Sequence, residues 1–248
     1  MELELERVSQ HLEQVLSQIA AAPIQVQAAG RTDAGVHATN QVVHFDLHQE
    51  RPMRAWLQGA NSMLPSSIAI QWAQVVDPEF HARFSASERR YQYVYCDGSR
   101  KAPGLGEQCW VERRVLQVDA MHQAAQALLG EHDFTSFRGA GCQAPTAYRR
   151  VHRISVARHG DLVVLDIAAN AFLLHMVRNI AGGLLRVGVQ EQPVRWLGEL
   201  LGQQDRRLLG PTAPPQGLYL VAVRYPGYNL PSGPAPALLR GLGPLAPA

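Results

Sequence analysis

Leu5, Val8, Leu12, Val15, Leu16 and Ile19 recur at spacings of three and four residues. That spacing stacks them on one side of a 3.6-residue turn and predicts an amphipathic helix over residues 3–20. Pro23 ends it. "IQVQA" (24–28) predicts a short strand, and "QVVHFDLH" (41–48) alternates well enough to predict a second. A helix is expected near 52–62, a strand at "IAIQWAQVV" (68–76), and, after a turn-like stretch, a strand at "YQYVYC" (91–96), whose aromatic residues favour a pleated surface. Asp119 can cap a helix running to Leu129, with Gly130 as its stop. "VHRISVAR" (151–158) and "LVVLDIAA" (162–169), joined by His159-Gly160-Asp161, read as a β-hairpin. "FLLHMVRNIAGGLLRVG" (172–188) keeps helical apolar spacing across two glycines, "PVRWLGELLG" (193–202) is a further helix, and "GLYLVAVRY" (217–225) a last strand. After Pro226 the prolines and glycines show no periodicity, which predicts a loosely ordered tail.

Strands joined by a hairpin and interspersed with helices indicate an α+β fold with a largely antiparallel mixed sheet flanked by helices, rather than strict strand–helix alternation. A break near residues 81–90 divides the chain into an N-terminal α/β half, 1–85, and a C-terminal α/β half, 86–228, followed by a Pro/Gly-rich tail, 229–248. At 248 residues, 46% hydrophobic and 18% charged, the composition is that of a soluble globular protein with a sizeable core. No apolar run is long enough to span a bilayer, and "MELELER" lacks the order of a signal peptide, so no membrane contact and a cytoplasmic location are expected.

Cys96, Cys109 and Cys142 form no C-x-x-C pair, so they read as reduced and structural. Ten scattered histidines without H-E-x-x-H make a metal site improbable. The net charge of +2 hides an uneven distribution: residues 83–158 carry twelve basic and seven acidic side chains. Of the 23 basic residues all but Lys101 are arginine; the planar guanidinium suits phosphate, but a GC-rich coding bias is the first explanation of such a count.

The candidate chemistry lies in "AGRTDAGVH" (29–37). Asp and Gly favour turns, so Asp33 between two glycines reads first as a backbone-bonded turn residue. A functional reading is also open. Gly30 and Gly35 would let a large ring approach the backbone, and Arg31 and Asp33 would point the same way in an extended segment. Asp33 has no acidic neighbour in sequence, which ranks a glycosidase with paired carboxylates last.

"AGRTDAGVH" is similar to the signature of the tRNA pseudouridine synthase A (TruA) family, and five further blocks follow in that family's order. They are "FHARFSA" (80–86), "RRYQYVY" (89–95), "DFTSFR" (133–138), "NAFLLHMVRNIAG" (170–182) and "GLYLVAV" (217–223). The resemblance implies the pseudouridine synthase fold, with two similar α/β halves around a central cleft. It implies isomerisation of uridine to pseudouridine in the anticodon stem-loop of tRNA, at positions 38–40, by a cofactor-free homodimer. It assigns Asp33 as the catalytic carboxylate, Arg178 as its partner, and Tyr91 as the residue against the target base and a candidate for the C5 proton transfer. Arg31 falls on the RNA side of the loop, and Leu218 resembles an apolar residue packing on the uracil. Read from spacing alone, Arg178 is first a structural ion pair or a solvated helix charge, Tyr91 shares a strand face with Tyr93 and Tyr95 that fits a core, and Leu218 fits core packing. Arg83, Arg89, Arg90, Arg149, Arg150 and Arg153, from the basic middle third, are candidates for phosphate contacts. Family members begin with a strand and a Tyr-Asp-Gly…Gly-Trp-Gln segment ahead of the first helix, where this chain starts. The expectation is therefore an exposed sheet edge and a reduced RNA-facing surface, with a catalytically impaired tRNA-binding protein of the same fold as the alternative function.

Overall fold

The apolar stripe of the first helix is observed: α1, Val8–Ala20, buries Leu12, Val15, Leu16 and Ala20. The computed structural model describes residues 8–47, 50–98 and 104–240, so the predicted first turn with Leu5 lies outside the described residues. Ala21 adopts a left-handed conformation, φ +53°, that ends the helix ahead of Pro23. The returning chain is held by α1 itself, where the Ser17 hydroxyl accepts from the Ile24 amide (2.8 Å) and the Glu13 carboxylate from the Val26 amide (3.0 Å).

β1, Gln27–Ala28, and β3, Val43–His44, pair antiparallel as a two-residue ribbon. Between them runs the loop containing the glycine-rich stretch and β2, His37–Ala38. A π-helical turn, Ala55–Gly59, passes into α2, Ala60–Met63, where the 52–62 helix was expected. Trp56, Ala60 and Leu64 join the α1 residues and Ile24 in an apolar cluster of their own. The predicted strand 68–76 is not a strand. The Asn61 side chain donates to the Ile70 carbonyl (2.8 Å) and accepts from its amide (2.7 Å), a role a neighbouring strand would otherwise fill, and Val75 is left 89% exposed.

The remaining chain builds on β4, Glu88–Asp97. Along its far half it pairs in parallel with β5, Trp110–Glu112. α3, Val118–Gln126, starts with Gln117 as cap; Asp119 lies inside the first turn, where its charge favours the helix dipole rather than satisfying an amide as a cap. β6, Gly130–Asp133, β7, Tyr148–His159, and β8, Leu162–Ala169, follow, and the predicted hairpin is the β7–β8 pair turning on Gly160-Asp161. α4, Met176–Gly188, α5, Trp196–Gln203, and β9, Leu218–Arg224, complete the order. Among the described residues seven strands share one sheet in the order β2-β9-β4-β8-β7-β6, with β5 beside β4. The β2–β9 and β4–β5 pairings are parallel and the others antiparallel, which is the mixed, largely antiparallel sheet expected of an α+β chain.

β8 is buried along its whole length because both faces of the sheet are covered. On one face Leu165 and Ile167 pack with Met121, Leu128, Ile180 and Leu184 of α3, α4 and the turn after α3. On the other, Val94, Cys96, Cys109, Leu162 and Tyr219 are covered by Leu238 and Leu239. The segment expected to be loosely ordered therefore packs onto the sheet as far as it is described, to Arg240.

Tyr91, Tyr93 and Tyr95 share the inner face of β4 and are buried. The Tyr95 hydroxyl donates to the Ala181 carbonyl of α4 and that of Tyr93 to the Pro214 carbonyl, each at 2.8 Å. The segment before β9 is thereby pressed onto β4. A methyl group at Gly217 would lie 2.7 Å from Tyr93 Cζ and 2.9 Å from the Val94 carbonyl oxygen. Gly217→Ala is expected to cost about 1–3 kcal/mol, read as a fall of several degrees in the thermal unfolding midpoint.

Candidate active site

The 29–42 loop is tied at its base by the Ala29 amide donating to the Val42 carbonyl (2.8 Å) and the Gln41 side chain donating to the Gly30 carbonyl (2.8 Å). At its tip the Val36 amide donates to the Asp33 carbonyl (3.0 Å), and Gly35, at φ +82°, closes the turn against Pro215. The backbone of Asp33 is thus the turn residue that its neighbours suggest. Its side chain is not used by the turn.

That carboxylate meets α4 instead. Arg178 Nη1 donates to Asp33 Oδ2 at 2.6 Å, and Nε of the same guanidinium donates to the Ala213 carbonyl at 2.8 Å. His175 Nε2 lies 3.3 Å from the same Oδ2. Oδ1 receives no hydrogen bond from the described residues. The side chain of Asp33 remains 31% exposed, whereas that of Arg178 is 13% exposed, so the cation is the more buried member and its planar fork is fixed at two points. One carboxylate oxygen is held and the other is not.

Tyr91 forms the adjoining wall. A side chain at Gly30 would begin 3.6 Å from its hydroxyl, and Phe172 packs edge-on against its ring at 5.1 Å. Burial pushes the Tyr91 phenol up to about 12, with Arg89 opposing and Asp33 adding to the shift. Tyr219 and Tyr225 are also pushed up to about 12 by burial. Since an unfolded tyrosine ionises near ~10, the unfolded state loses protons first as pH rises. These phenols leave stability unchanged below pH ~10 and lower it between ~10 and ~12, by up to about 2–3 kcal/mol for Tyr91 and by less for Tyr219 and Tyr225. Denaturant midpoints measured across that range, with phenolate absorbance appearing together with unfolding, check this.

A carboxylate of the glycine loop and a guanidinium of α4 meet here, and the phenol of Tyr91 on β4 borders the same loop at Gly30. A model of the family described as tRNA pseudouridine synthase matches residues 1–85 and 124–226. The chain belongs to the tRNA pseudouridine synthase family. It is 52% identical over 245 residues to the tRNA pseudouridine synthase A of Idiomarina loihiensis, covering 98% of this chain and 90% of that protein. Identity is 53% over 224 residues with that of Legionella pneumophila, covering 90% and 85%, and 51% over 231 residues with that of Shewanella frigidimarina, covering 93% and 88%.

The other candidate residues of this family member are placed as follows. Leu218 is buried at the start of β9, opposite Tyr93 in the ladder and two positions from the Tyr91–Leu220 pair. Arg31 is exposed, and no ion pair joins it to Asp33 among the described residues. Arg83 and Arg150 are exposed, the latter 3.4 Å from Glu131. Arg149 is half-buried and donates to the Thr146 and Tyr148 carbonyls, leaving its Nε without a hydrogen-bond partner. Arg153 lies 3.7 Å from Glu88.

Two arginines proposed for phosphate are otherwise employed. Arg89 donates to the carbonyls of Ala29 (3.1 Å), Ala86 (3.0 Å), Asn170 (3.1 Å) and Arg83, which binds the glycine loop to β4 and to the β8–α4 connection. Arg90 is paired through Nε (2.8 Å) with the buried Asp166, which also accepts from Gln92 (2.9 Å). Both terminal nitrogens of Arg89 are thus committed, as are Nε and Nη2 of Arg90.

His175 and Phe172 are the residues that sequence reasoning passed over. The predicted helix 172–188 begins only at Met176, because His175, φ +60°, occupies a left-handed cap that brings its ring onto Asp33. A non-glycine residue in that conformation is held at a cost, as at many functional sites. The available signal was a lone polar residue in the apolar run "FLLHMV". Among the described residues no three His, Cys, Asp or Glu side chains are grouped to hold a metal, and no helix is long and apolar enough to cross a membrane.

Proposed function

We propose that the chain isomerises uridine to pseudouridine in the anticodon stem-loop of tRNA, at positions 38–40, with Asp33 as the reacting carboxylate. The observation that carries the reading is the grip of Arg178 and His175 on Asp33 Oδ2, which leaves Oδ1 without a hydrogen bond among the described residues. The reaction breaks the N1–C1′ bond, turns the uracil and joins C5 to C1′, with the C5 proton leaving and N1 regaining one. Electrons and atoms balance without an external reagent. The open oxygen serves as nucleophile at C1′ or as base toward the 2′ proton. Arg178 supplies the compensating charge and fixes the direction of the carboxylate. Tyr91 lies against the base; its phenol stays protonated at neutral pH, so it takes up the C5 proton only as its own proton moves on toward the N1 that must regain one. Leu218 supplies apolar surface beneath the uracil.

The target nucleotide must leave its stack to reach this site, at a cost of a few kcal/mol. Arg31, Arg83, Arg149 and Arg150 offset it through phosphate contacts. In this reading residues 1–85 deliver the carboxylate, residues 86–228 form the wall it faces, and the enzyme works as a homodimer in the cytoplasm. The test is tritium release from an unmodified tRNA transcript carrying C5-tritiated uridine, with the product mapped by position. Release at 38–40 is expected; tight binding with no release would instead identify a tRNA-binding protein.

A further inference from the structure

We propose that the ring of Phe84 is a stacking platform for an unpaired base of the RNA substrate, the neighbour of the uridine that enters the Asp33 site. Phe84 is 75% exposed, whereas Phe80, four residues earlier, is buried between Tyr225 and Tyr228. The exposure is built in rather than accidental. His81 Nδ1 accepts from the amides of both Arg83 (3.1 Å) and Phe84 (3.3 Å), and the Ser85 hydroxyl and amide close the turn with the backbone of His81. A fixed turn that turns a large aromatic ring into water forfeits its burial and leaves both its position and its face set for a partner.

The chemistry around the ring selects that partner. The His81 ring lies 4.3 Å from that of Phe84, and the Arg83 guanidinium stands 5.5 Å from its centroid. An apolar protein partner would meet an apolar rim, but here the rim is imidazole, guanidinium and hydroxyl. An aromatic face beside a cation matches a nucleobase on its phosphate chain. Position agrees with this. One nitrogen of Arg89 donates to the carbonyls of both Arg83 and Ala29, so the Phe84 turn abuts the residue just before Gly30, whose backbone borders the Tyr91 hydroxyl. When a uridine is extruded, the bases on either side lose a stacking partner, and a ring at the rim of the site restores one. The inference rests on the reading that the substrate is RNA.

The test uses the full chain and an unmodified anticodon stem-loop RNA, in filter binding over a range of salt. Phe84→Ala is expected to raise Kd on the order of ten- to a hundredfold with the slope of log Kd against log salt unchanged, whereas Arg83→Ala lowers that slope by about one. Phe84→Trp keeps the affinity, and its fluorescence is quenched as RNA is added. Abasic nucleotides placed one at a time through the loop identify the contact: at one position the lesion weakens wild type but not Phe84→Ala. Unchanged affinity of Phe84→Ala, or equal losses with every abasic RNA, overturns the platform while tritium release by wild type leaves the isomerase reading standing. Failure of wild type to bind the RNA overturns both.

Discussion

Asp33→Asn abolishes tritium release, by about ten-thousandfold or more, and leaves a folded protein that still binds tRNA. The substitution is isosteric, and the turn uses only the Asp33 backbone, through the Val36 amide. The amide oxygen of Asn can still accept from Arg178 Nη1 in place of Oδ2. What disappears is the negative charge, and with it both the nucleophile and the base. Stability is expected to fall by only about 1 kcal/mol, because the lost pair is partly exposed and Arg178 keeps its hydrogen bond to Ala213. Asp33→Glu restores the charge on a longer arm. With Arg178 and His175 holding the oxygen at a fixed place, the extra methylene displaces the carboxylate and activity stays at least about a hundredfold low. Retention of the rate within tenfold by Asp33→Asn, with unchanged tRNA affinity, would remove Asp33 from the chemistry.

The parts of this fold written in local pattern are the parts legible in the sequence. The stripe of α1, the alternation and short turn of the β7–β8 hairpin, and the apolar run of α4 each carry their own period. β2, β5 and β6 are two to four residues long, too short for any period, and exist because β9, β4 and β7 offer them hydrogen bonds. The 68–76 segment shows the reverse: strand-like composition without a ladder, its backbone at Ile70 taken by Asn61. In the site, the glycine loop and the α4 arginine were readable through their motifs, and the structure brings them within 2.6 Å across 145 residues of sequence. His175 stood out only as a lone polar residue in an apolar run, and its place beside Asp33 comes from a left-handed backbone that its neighbours do not announce. The roles of Arg89 and Arg90 were not readable, since sequence shows that an arginine is present but not whether carbonyls or a buried carboxylate have already taken it.

Arg178→Lys is expected to lower kcat about a hundredfold while leaving tRNA affinity within a few-fold. The guanidinium binds Asp33 by Nη1 and the Ala213 carbonyl by Nε, and the Ala213 amide in turn donates to the Arg178 carbonyl at 3.3 Å. One planar group therefore sets the distance between the glycine loop and the 211–217 segment on which Gly35 and Leu218 depend. Lysine keeps the charge but is a single point donor, so it serves one of those partners at a time, and the carboxylate loses its fixed direction. Phosphate contacts lie elsewhere in this reading, which is why affinity is spared and the loss appears in kcat. Arg178→Met removes the charge as well, leaving Asp33 without its guanidinium, and is expected to lower the rate about a thousandfold or more. Its stability cost separates pairing from packing. If the ion pair matters to folding, Arg178→Met combined with Asp33→Asn is less destabilised than the sum of the two single variants by about 1 kcal/mol, in a cycle measured by denaturant unfolding. Additive stabilities together with an unchanged kcat in Arg178→Lys would show that the 2.6 Å contact neither orients the carboxylate nor holds the loop.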